Sequence, residues 1–549
     1  MSLKSRALPL FLTVMFLANR SGAVWGPLVY PAYAREDVQL DPIYFSQDSL
    51  VTAQPFSLTL NSQVAGTIRY TCNGSLPDVT STAYEGPIFI DKPTVIRAQM
   101  FDDTGNPIGD VYTRSYLIVT YSQTIPVISI VSDWTHLNWL HDYPLEHGQN
   151  CERPVNIEYF APGGQVQFNV QAGMRIHGGK SRLYSLKKSY RLYFRKAYGG
   201  PGNLEYPLFE DSAVTKFDKL VLRAGFNDSF TYADSAGHPK AQAFTAKYIG
   251  DQVVRNLHRD MGQPIAHGCW VLLYLNGEYW GLYNLTERID QQYFRAYSDK
   301  DSDWDVIKKE VGLTHTADNQ WVDREVVVDG SYEAWQATQN WVGSADFYNP
   351  GNIGVLEWMV DLENLFSYMF LQAYVQNYDW PGNNWIIYRR SDPMATGNEA
   401  KWRMMAWDAE YSFGSGSDGF AADKNTLVRV YSPHDSITRL LEKPFIGNCE
   451  LKHRFVQRAR EYLGVENLQH KPETEVGQLA GERVKAEILK QAAIVRPFIQ
   501  MEAERWAPEM NVALFDQNIQ EALHFVDTRE TVILEHLDIL RYQTFTQCQ

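Results

Sequence analysis

The 549-residue chain has few cysteines, no excess of positive charge and no long apolar run beyond its amino terminus. Its five cysteines are scattered and form no CxxC pair, which excludes a zinc finger and a disulfide-dense scaffold. The 50 Lys and Arg residues are outnumbered by 65 Asp and Glu residues, so the net charge is -15. This balance disfavours a nucleic-acid partner, although it leaves room for a local basic site.

A secretory signal peptide is predicted over residues 1–23. Lys4 and Arg6 precede an apolar run at residues 8–18. The small residues 21–23 form a candidate cleavage site, and residues 32–34 (Ala-Tyr-Ala) form a second one. We therefore expect a secreted or cell-surface protein; the alternative is a buried first helix or strand. No later segment reaches the ~18 uncharged apolar residues of a membrane-spanning helix, so no transmembrane anchor is predicted.

The rest of the chain divides into a β-rich part and a mixed part. Hydrophobic residues make up 44% and charged residues 21%, which is typical of folded globular proteins. After a linker at residues 24–47, short β-rich runs separated by turn residues predict a small all-β sandwich over residues 48–122. An α+β domain is predicted over residues 126–460, with a helical extension over residues 461–549. Within this domain, residues 301–355 look polar and loop-like apart from one strand.

Three segments of the predicted sandwich resemble the C-terminal module of chitobiases and β-hexosaminidases. They are YTCNGSLPD at residues 70–78, YEGPI at residues 84–88 and TVIRA at residues 94–98. The dipeptide Asn73-Gly74 favours a tight turn, and Asn73 stands where the family usually has Asp. The resemblance implies an accessory module that offers a contact for polysaccharide.

Three polar side chains follow a helix–loop–hairpin pattern in the mixed part. An apolar helical face ends near Gln376, the next loop places Asp379 five residues before Asn384, and two predicted strands then end at Asp408. Protein-kinase-like sites have this order. Carboxylate and amide oxygens hold the divalent ions that neutralise triphosphate oxygens, and a further carboxylate orients or deprotonates the acceptor hydroxyl. The alternative interpretation makes both aspartates turn or cap residues.

A glycine turn lies upstream of these residues. The sequence RIHGGKSR contains Gly178, Gly179 and Ser181, and the predicted strand KKSYRL follows it. In protein kinases, too, a glycine-rich loop that covers the nucleotide phosphates is followed along the chain by a lysine on a strand. Lys187 and Lys188 face opposite sides of a strand, so only one of them reaches a site. The turn residues are candidate contacts of a nucleotide.

Several motifs in the same order resemble the CotH (spore coat protein H) kinase family, from about residue 126 to about 460. The motifs are RIHGGKSR, KKSYRLYF, LVLRAGFND, LYLNGEYWGLYNLTERID, WDVIK, NYDWPGNNWIIYR and KWRMMAWDAEYSFG. The resemblance implies an atypical, often secreted, protein-kinase-like fold. It also implies ATP-dependent phosphorylation of extracellular or coat proteins.

The resemblance assigns roles to five residues. Asp379 would be the catalytic aspartate, and Lys187 would bind the nucleotide phosphates. Asn384 and Asp408 would hold Mg²⁺ or Mn²⁺. Glu287 is a family hallmark that the resemblance places in the nucleotide pocket.

Other functions stay open at this stage. Glu410 stands near the position where many family members have a second Asp after Trp-Asp, which leaves the number of metal-binding carboxylates open. A kinase-like fold with a reversed nucleotide would transfer AMP instead of phosphate. A decayed kinase-like domain beside the sandwich would make a cell-surface or glycan-binding protein. A glycosidase with two carboxylates is the weakest alternative, because Asn384 and the glycine turn would then have no role.

Overall fold

The computed structural model describes residues 43–233, 239–298, 301–313, 321–414, 421–433, 435–465 and 477–542. The predicted signal peptide and residues 24–42 of the predicted linker lie outside the described residues. The end of that linker already carries a strand, Tyr44–Phe45, which pairs with Leu60–Asn61. The described residues belong to one compact unit.

The amino-terminal part is the predicted all-β module. Its strands are Tyr44–Phe45 (β1), Leu50–Thr52 (β2), Phe56–Leu58 (β3), Leu60–Asn61 (β4), Thr67–Thr71 (β5), Thr82–Ala83 (β6), Ile88–Ile90 (β7), Thr94–Phe101 (β8) and Pro107–Ile118 (β9). One sheet has the order β2-β9-β8-β5-β6, and the β3-β7 pair shares its core. Ile96, Ala98 and Met100 lie at alternate positions of β8, so all three side chains are buried in that core.

The mixed part begins with a closed barrel. The strands of this region are Val127–Val131 (β10), Arg153–Phe160 (β11), Val166–His177 (β12), Ser189–Tyr193 (β13), Leu204–Glu205 (β14), Lys216–Phe217 (β15), Lys219–Arg223 (β16), Gly268–Leu275 (β17) and Glu278–Glu287 (β18). The barrel order is β10-β11-β12-β13-β16-β18-β17, and the parallel pair β10-β17 closes it. Asn276 and Gly277 turn the β17-β18 hairpin with φ of 49° and 84°, as two-residue hairpin turns require.

A second sheet follows the barrel in the chain, and three helices separate its first two strands from its last two. Its strands are Trp304–Leu313 (β19), Trp321–Asp329 (β20), Trp385–Arg390 (β21) and Arg403–Ala406 (β22), in the order β20-β19-β21-β22. The loop-like prediction for residues 301–355 was wrong over most of the described part, which holds two strands and two helices. Trp335, Thr338 and Val342 are buried at helical spacing there, but polar neighbours hide this pattern in the sequence.

Twelve α-helices are described, and those of the carboxyl-terminal part form the largest core. They are Trp134–Asp142 (α1), Ser181–Tyr184 (α2), Gly250–Asp260 (α3), Gln291–Tyr297 (α4), Glu333–Ser344 (α5), Gly351–Met359 (α6), Leu362–Tyr374 (α7), Arg439–Gly447 (α8), Cys449–Leu463 (α9), Gly481–Val495 (α10), Ile499–Trp506 (α11) and Val512–Tyr542 (α12). The predicted order, a β-sandwich followed by an α+β domain with a helical carboxyl-terminal part, is confirmed.

Two buried basic residues connect distant parts of the chain. Lys187, just before β13, is fully buried and forms an ion pair with Glu502 of α11. Arg529 of α12 is also fully buried, and it donates to the carbonyl oxygens of Ala373 and Tyr374 at 2.8 and 3.1 Å. The helical extension is therefore held to the barrel and to α7 by polar contacts as well as by apolar packing.

No helix within the described ranges combines the length and the apolar character needed to span a bilayer. Among the cysteines, Cys449 is disulfide-bonded, while Cys72, Cys151 and Cys269 are free thiols.

Candidate active site

A cleft of about 750 Å³ brings together most of the polar residues that the sequence singles out. Strands β12, β13 and β16 of the barrel contribute to it, as do β19 and β20 of the second sheet. The segments that follow β16, β18, α7 and β22 also contribute to the lining. Six predicted site residues line this cleft: Gly178, Gly179, Ser181, Asp379, Asn384 and Asp408.

Asp379 and Asn384 lie at hydrogen-bonding distance in the loop between α7 and β21. The Nδ2 atom of Asn384 donates to Oδ2 of Asp379 at 3.2 Å and to the backbone oxygen of Asp408 at 3.1 Å. Asn227 also approaches Asp379, with its Nδ2 atom 3.4 Å from Oδ2. These contacts occupy the amide nitrogen of Asn384 and orient its carbonyl oxygen, the only atom of an amide side chain that can serve as a cation ligand.

Asp408 is fixed from the barrel side by a buried guanidinium group. Arg223 of β16 donates to Oδ1 of Asp408 at 2.6 Å and to Oε1 of Glu410 at 2.7 Å. The other oxygen of Glu410 accepts from the backbone N–H groups of Phe226 and Asn227 at 2.7 and 2.9 Å. Burial raises the pKa of Glu410 to about 7, with Arg223 opposing this shift. Glu410 therefore positions Arg223 and the loop after β16.

Two residues of this site have backbone conformations that are unusual for side chains with a Cβ atom. The φ angles are 60° at Asn384 and 54° at Asp408. Asn and Asp adopt this left-handed region more readily than most residues, but it still costs conformational energy. Such conformations concentrate at functional sites, where the surrounding structure enforces them.

The donor set of this site suits a hard divalent cation that is shared with a ligand. Oxygen atoms of Asp408 and Asn384 face one cleft, and the Asp408 side chain is 38% exposed. Within the described ranges, no group of three or more His, Cys, Asp or Glu side chains is placed to hold a metal ion alone. Mg²⁺ commonly uses one or two carboxylates and completes its shell with waters and substrate phosphates. Asn384 and Asp408 fit that pattern.

The glycine turn closes the cleft from the barrel. Gly178 has a φ of 123°, and a Cβ atom at this position would lie 2.1 Å from Oγ of Ser181. Only glycine therefore allows the backbone to turn here while Ser181 starts the short helix α2. The turn holds backbone close to the space in front of Asp379 and Asp408.

The structure does not bring Lys187 or Glu287 to this cleft. The Lys187 ammonium group points into the barrel–helix contact, where it pairs with Glu502 and donates to the Leu282 carbonyl oxygen at 2.7 Å. Glu287 is buried and accepts from Tyr297 at 2.8 Å; its other oxygen lies 2.9 Å from Nδ1 of His267. Neither residue lines the cleft.

Sequence reasoning missed three basic residues that do line the cleft. Arg191 is on β13, Arg288 directly follows β18, and Lys308 is on β19. Strand alternation was a usable signal for Arg191, because it shares a strand face with Ser189. For Arg288 and Lys308 no local pattern distinguishes a cleft residue from a surface residue.

Two family models match the chain. The model described as chitobiase/beta-hexosaminidase C-terminal domain matches residues 48–113, in the sandwich. The model described as CotH kinase protein matches residues 174–533, from β12 to α12 and across all the cleft-lining loops after it. No curated protein sequence matches the chain. Because the second match covers well over half of the sequence, the chain belongs to the CotH kinase protein family.

Proposed function

We propose that this protein transfers the terminal phosphate of ATP to hydroxyl groups of other proteins, with Mg²⁺ or Mn²⁺ as the metal. The observation that carries this proposal is the meeting of Asp379, Asn384 and Asp408 in one cleft opposite a glycine turn. Phosphoryl transfer depends mainly on positioning and on electrostatic stabilisation, and the cleft offers groups for both.

In this proposal each residue has one task. Asp379 accepts the proton of the acceptor hydroxyl, since its carboxylate is half-buried and oriented by Asn384. Asn384 and Asp408 would hold the metal ion, which neutralises charge on the transferred phosphate when it is bound. Arg223 and Glu410 keep Asp408 in place.

We further propose that the acceptor is an extracellular or surface protein and that the protein is exported. The apolar segment at residues 8–18 and the disulfide bond of Cys449 support an oxidising compartment outside the cytosol. The sandwich, by its family match, supports a contact with polysaccharide. This contact would place the cleft near acceptors in a surface layer.

Intact-mass spectrometry tests the proposed transfer. The purified protein is incubated with ATP, Mg²⁺ or Mn²⁺ and an acidic acceptor protein, beside Asp408→Ala and the control Asp103→Ala, whose aspartate is exposed in the sandwich. A phosphoryl-sized gain in the wild type and the control, absent in Asp408→Ala, is expected. An adenylyl-sized gain would replace the proposal by AMP transfer. No gain on enzyme or acceptor would contradict a general protein kinase and favour a binding role.

A further inference from the structure

The cleft is strongly cationic although the chain as a whole is acidic. Eight Lys and Arg residues line it against four Asp and Glu residues, while the whole chain has a net charge of -15. A cavity lined by one sign of charge concentrates ligands of the opposite sign. The cleft therefore selects an anion with several charges.

Some of these cations are already neutralised by the protein. Arg223 is paired with Asp408 and Glu410, and Lys309 forms an ion pair with Asp435. Lys308 lies 2.5 Å from Glu310, so it has one carboxylate partner. The surplus positive charge must come from the other basic residues of the lining.

Arg288 is one of these other basic residues. It is only 8% exposed and lines the cleft, and within the described ranges its guanidinium group has no hydrogen bond and no ion pair. A guanidinium group that lines the cleft without a protein partner leaves its N–H donors available to a ligand. An anion bound in the cleft would supply the hydrogen-bond acceptors and the negative charge that the protein does not provide for Arg288.

Arg191 lines the same cleft as Arg288, and its hydrogen-bond partner, His177, is neutral. Its Nη2 atom donates to Nδ1 of His177 at 2.9 Å, and its Nε atom has no partner among the described residues. Burial and the nearby Arg191 and Arg288 lower the pKa of His177, so the imidazole is uncharged and does not neutralise the arginine. His177 directly precedes Gly178, which places Arg191 next to the glycine turn.

The three basic groups line the same cleft and repel one another. Burial, followed by the charge of Arg288, lowers the pKa of Arg191 to about 9. Burial and Arg288 also lower the pKa of Lys308 to about 8, against the opposing effect of Glu310. Like charges held this close favour binding of an anion between them.

We propose that Arg191, Arg288 and Lys308 form a subsite that binds the phosphate chain of the nucleotide, the role that the sequence suggested for Lys187. The inference deepens the proposed function and rests on it for the identity of the ligand. Guanidinium groups bind phosphate oxygens through paired, charge-assisted hydrogen bonds. Because these residues line the same cleft as Asn384 and Asp408, one polyphosphate would engage both the subsite and a metal that Asn384 and Asp408 would hold.

A polyphosphate fits these observations better than an acidic peptide. The cations lie beside a glycine turn, whose backbone N–H groups can approach a phosphate chain closely, and guanidinium groups pair with its closely spaced oxygen atoms. The carboxylates of the cleft would repel an acidic peptide, whereas a divalent metal held by Asn384 and Asp408 would offset their charge toward phosphate.

Calorimetric titration of the full chain with inorganic tripolyphosphate, without metal, tests the subsite. The wild type is compared with Arg288→Gln, Lys308→Gln and the control Arg496→Gln, which removes an exposed arginine paired with Asp516. We expect roughly tenfold or greater loss of affinity in both cleft variants, none in the control, and partial recovery in Arg288→Lys. Circular dichroism establishes that each variant is folded, and Lys308→Gln carries the test if Arg288→Gln does not fold.

The outcomes separate the subsite from the proposed reaction. Failure of the wild type to bind tripolyphosphate, or unchanged affinity in folded Arg288→Gln and Lys308→Gln, overturns the subsite even if phosphate is transferred. Loss of affinity in the variants supports it even if no transfer occurs. ATP that competes with tripolyphosphate while adenosine does not supports the nucleotide as the source of the phosphate chain. Tripolyphosphate binding that ATP does not displace overturns that part of the inference.

Discussion

Lys187 and Glu502 form a fully buried ion pair across 315 residues of sequence. One partner precedes the barrel strand β13, and the other lies in the helical carboxyl-terminal part. Glu502 also accepts from the backbone N–H group of Leu282 at 2.8 Å. Burial lowers the pKa of the Lys187 ammonium group, and Glu502 opposes that shift. The pair thus has a structural role, and we expect its loss to lower the free energy of unfolding.

We expect Glu502→Gln to lower the free energy of unfolding by about 3–5 kcal/mol, because it leaves the buried ammonium group without a charged partner. The double variant Lys187→Met with Glu502→Gln should lose less than the sum of the two single variants. Urea denaturation of all four proteins measures this coupling. Strictly additive losses would show that the pair contributes no interaction energy. Tripolyphosphate affinity of the folded double variant should match that of the wild type.

Asp379→Asn should lower the rate of phosphate transfer about 10²–10⁴-fold, because the amide cannot accept a proton from the acceptor hydroxyl. Nucleotide affinity should change little, since the substitution preserves shape and leaves Asn384 and Asp408 in place. Turnover and ATP binding are measured on the same preparations, with Asp103→Asn as the exposed control. Turnover within tenfold of the wild type would remove Asp379 from the proposed mechanism.

Gly178→Ala should distort the glycine turn. The new Cβ atom would lie 2.1 Å from Oγ of Ser181, at a φ that residues with Cβ rarely adopt. We expect a stability loss of roughly 1–2 kcal/mol and weaker binding of tripolyphosphate. Gly343→Ala is the matched control, because Gly343 is in α5 and a Cβ there meets nothing within 4 Å. Equal behaviour of the two variants would argue that the turn does not shape the cleft.

Glu158 gives the stability of the protein a specific dependence on pH. This glutamate of β11 is fully buried where the barrel meets the sandwich; it accepts from Ser49 and, at 3.0 Å, from Asn169. Burial raises its pKa from 4.5 to about 7. The folded state therefore holds this proton more tightly than the unfolded state. That contribution is complete below pH 4.5 and is lost as pH rises through 7.

Glu158→Gln removes this dependence because the amide stays neutral. As pH rises from 5 to 8, the wild type should lose up to about 3 kcal/mol of unfolding free energy that the variant keeps. Thermal unfolding at both pH values measures the difference, with the exposed Glu85→Gln in the sandwich as control. An identical difference at pH 5 and pH 8 would show that Glu158 does not titrate in this range.

Local patterns predicted the part of the site that lies within a short stretch of chain. Asp379, Asn384 and Asp408 fall within 30 residues, where helix, loop and hairpin signals fix their relative positions. The hairpin at Asn276-Gly277 was predicted for the same reason. Each of these features depends on contacts between neighbours in sequence, which residue type and spacing specify.

Long-range contacts decided the features that the sequence did not predict. The direction of the Lys187 side chain depends on Glu502, which no local pattern connects to it. Alternation along an extended chain separates Glu287 from Arg288, but it does not tell which of them faces the cleft. The subsite combines Arg191 of β13, Arg288 directly after β18 and Lys308 of β19, which become neighbours only when the barrel and the second sheet are both folded.

The position of Arg529 has a consequence for how the protein is made. Its guanidinium group covers the last carbonyl oxygens of α7, the helix that leads into the Asp379 loop, and it also donates to the carbonyl oxygens of Ala422 and Lys424. A ribosome reaches residue 529 only after it has translated every residue of the cleft. The support that Arg529 gives to the end of α7 can therefore form only after all the residues of the cleft have been synthesised.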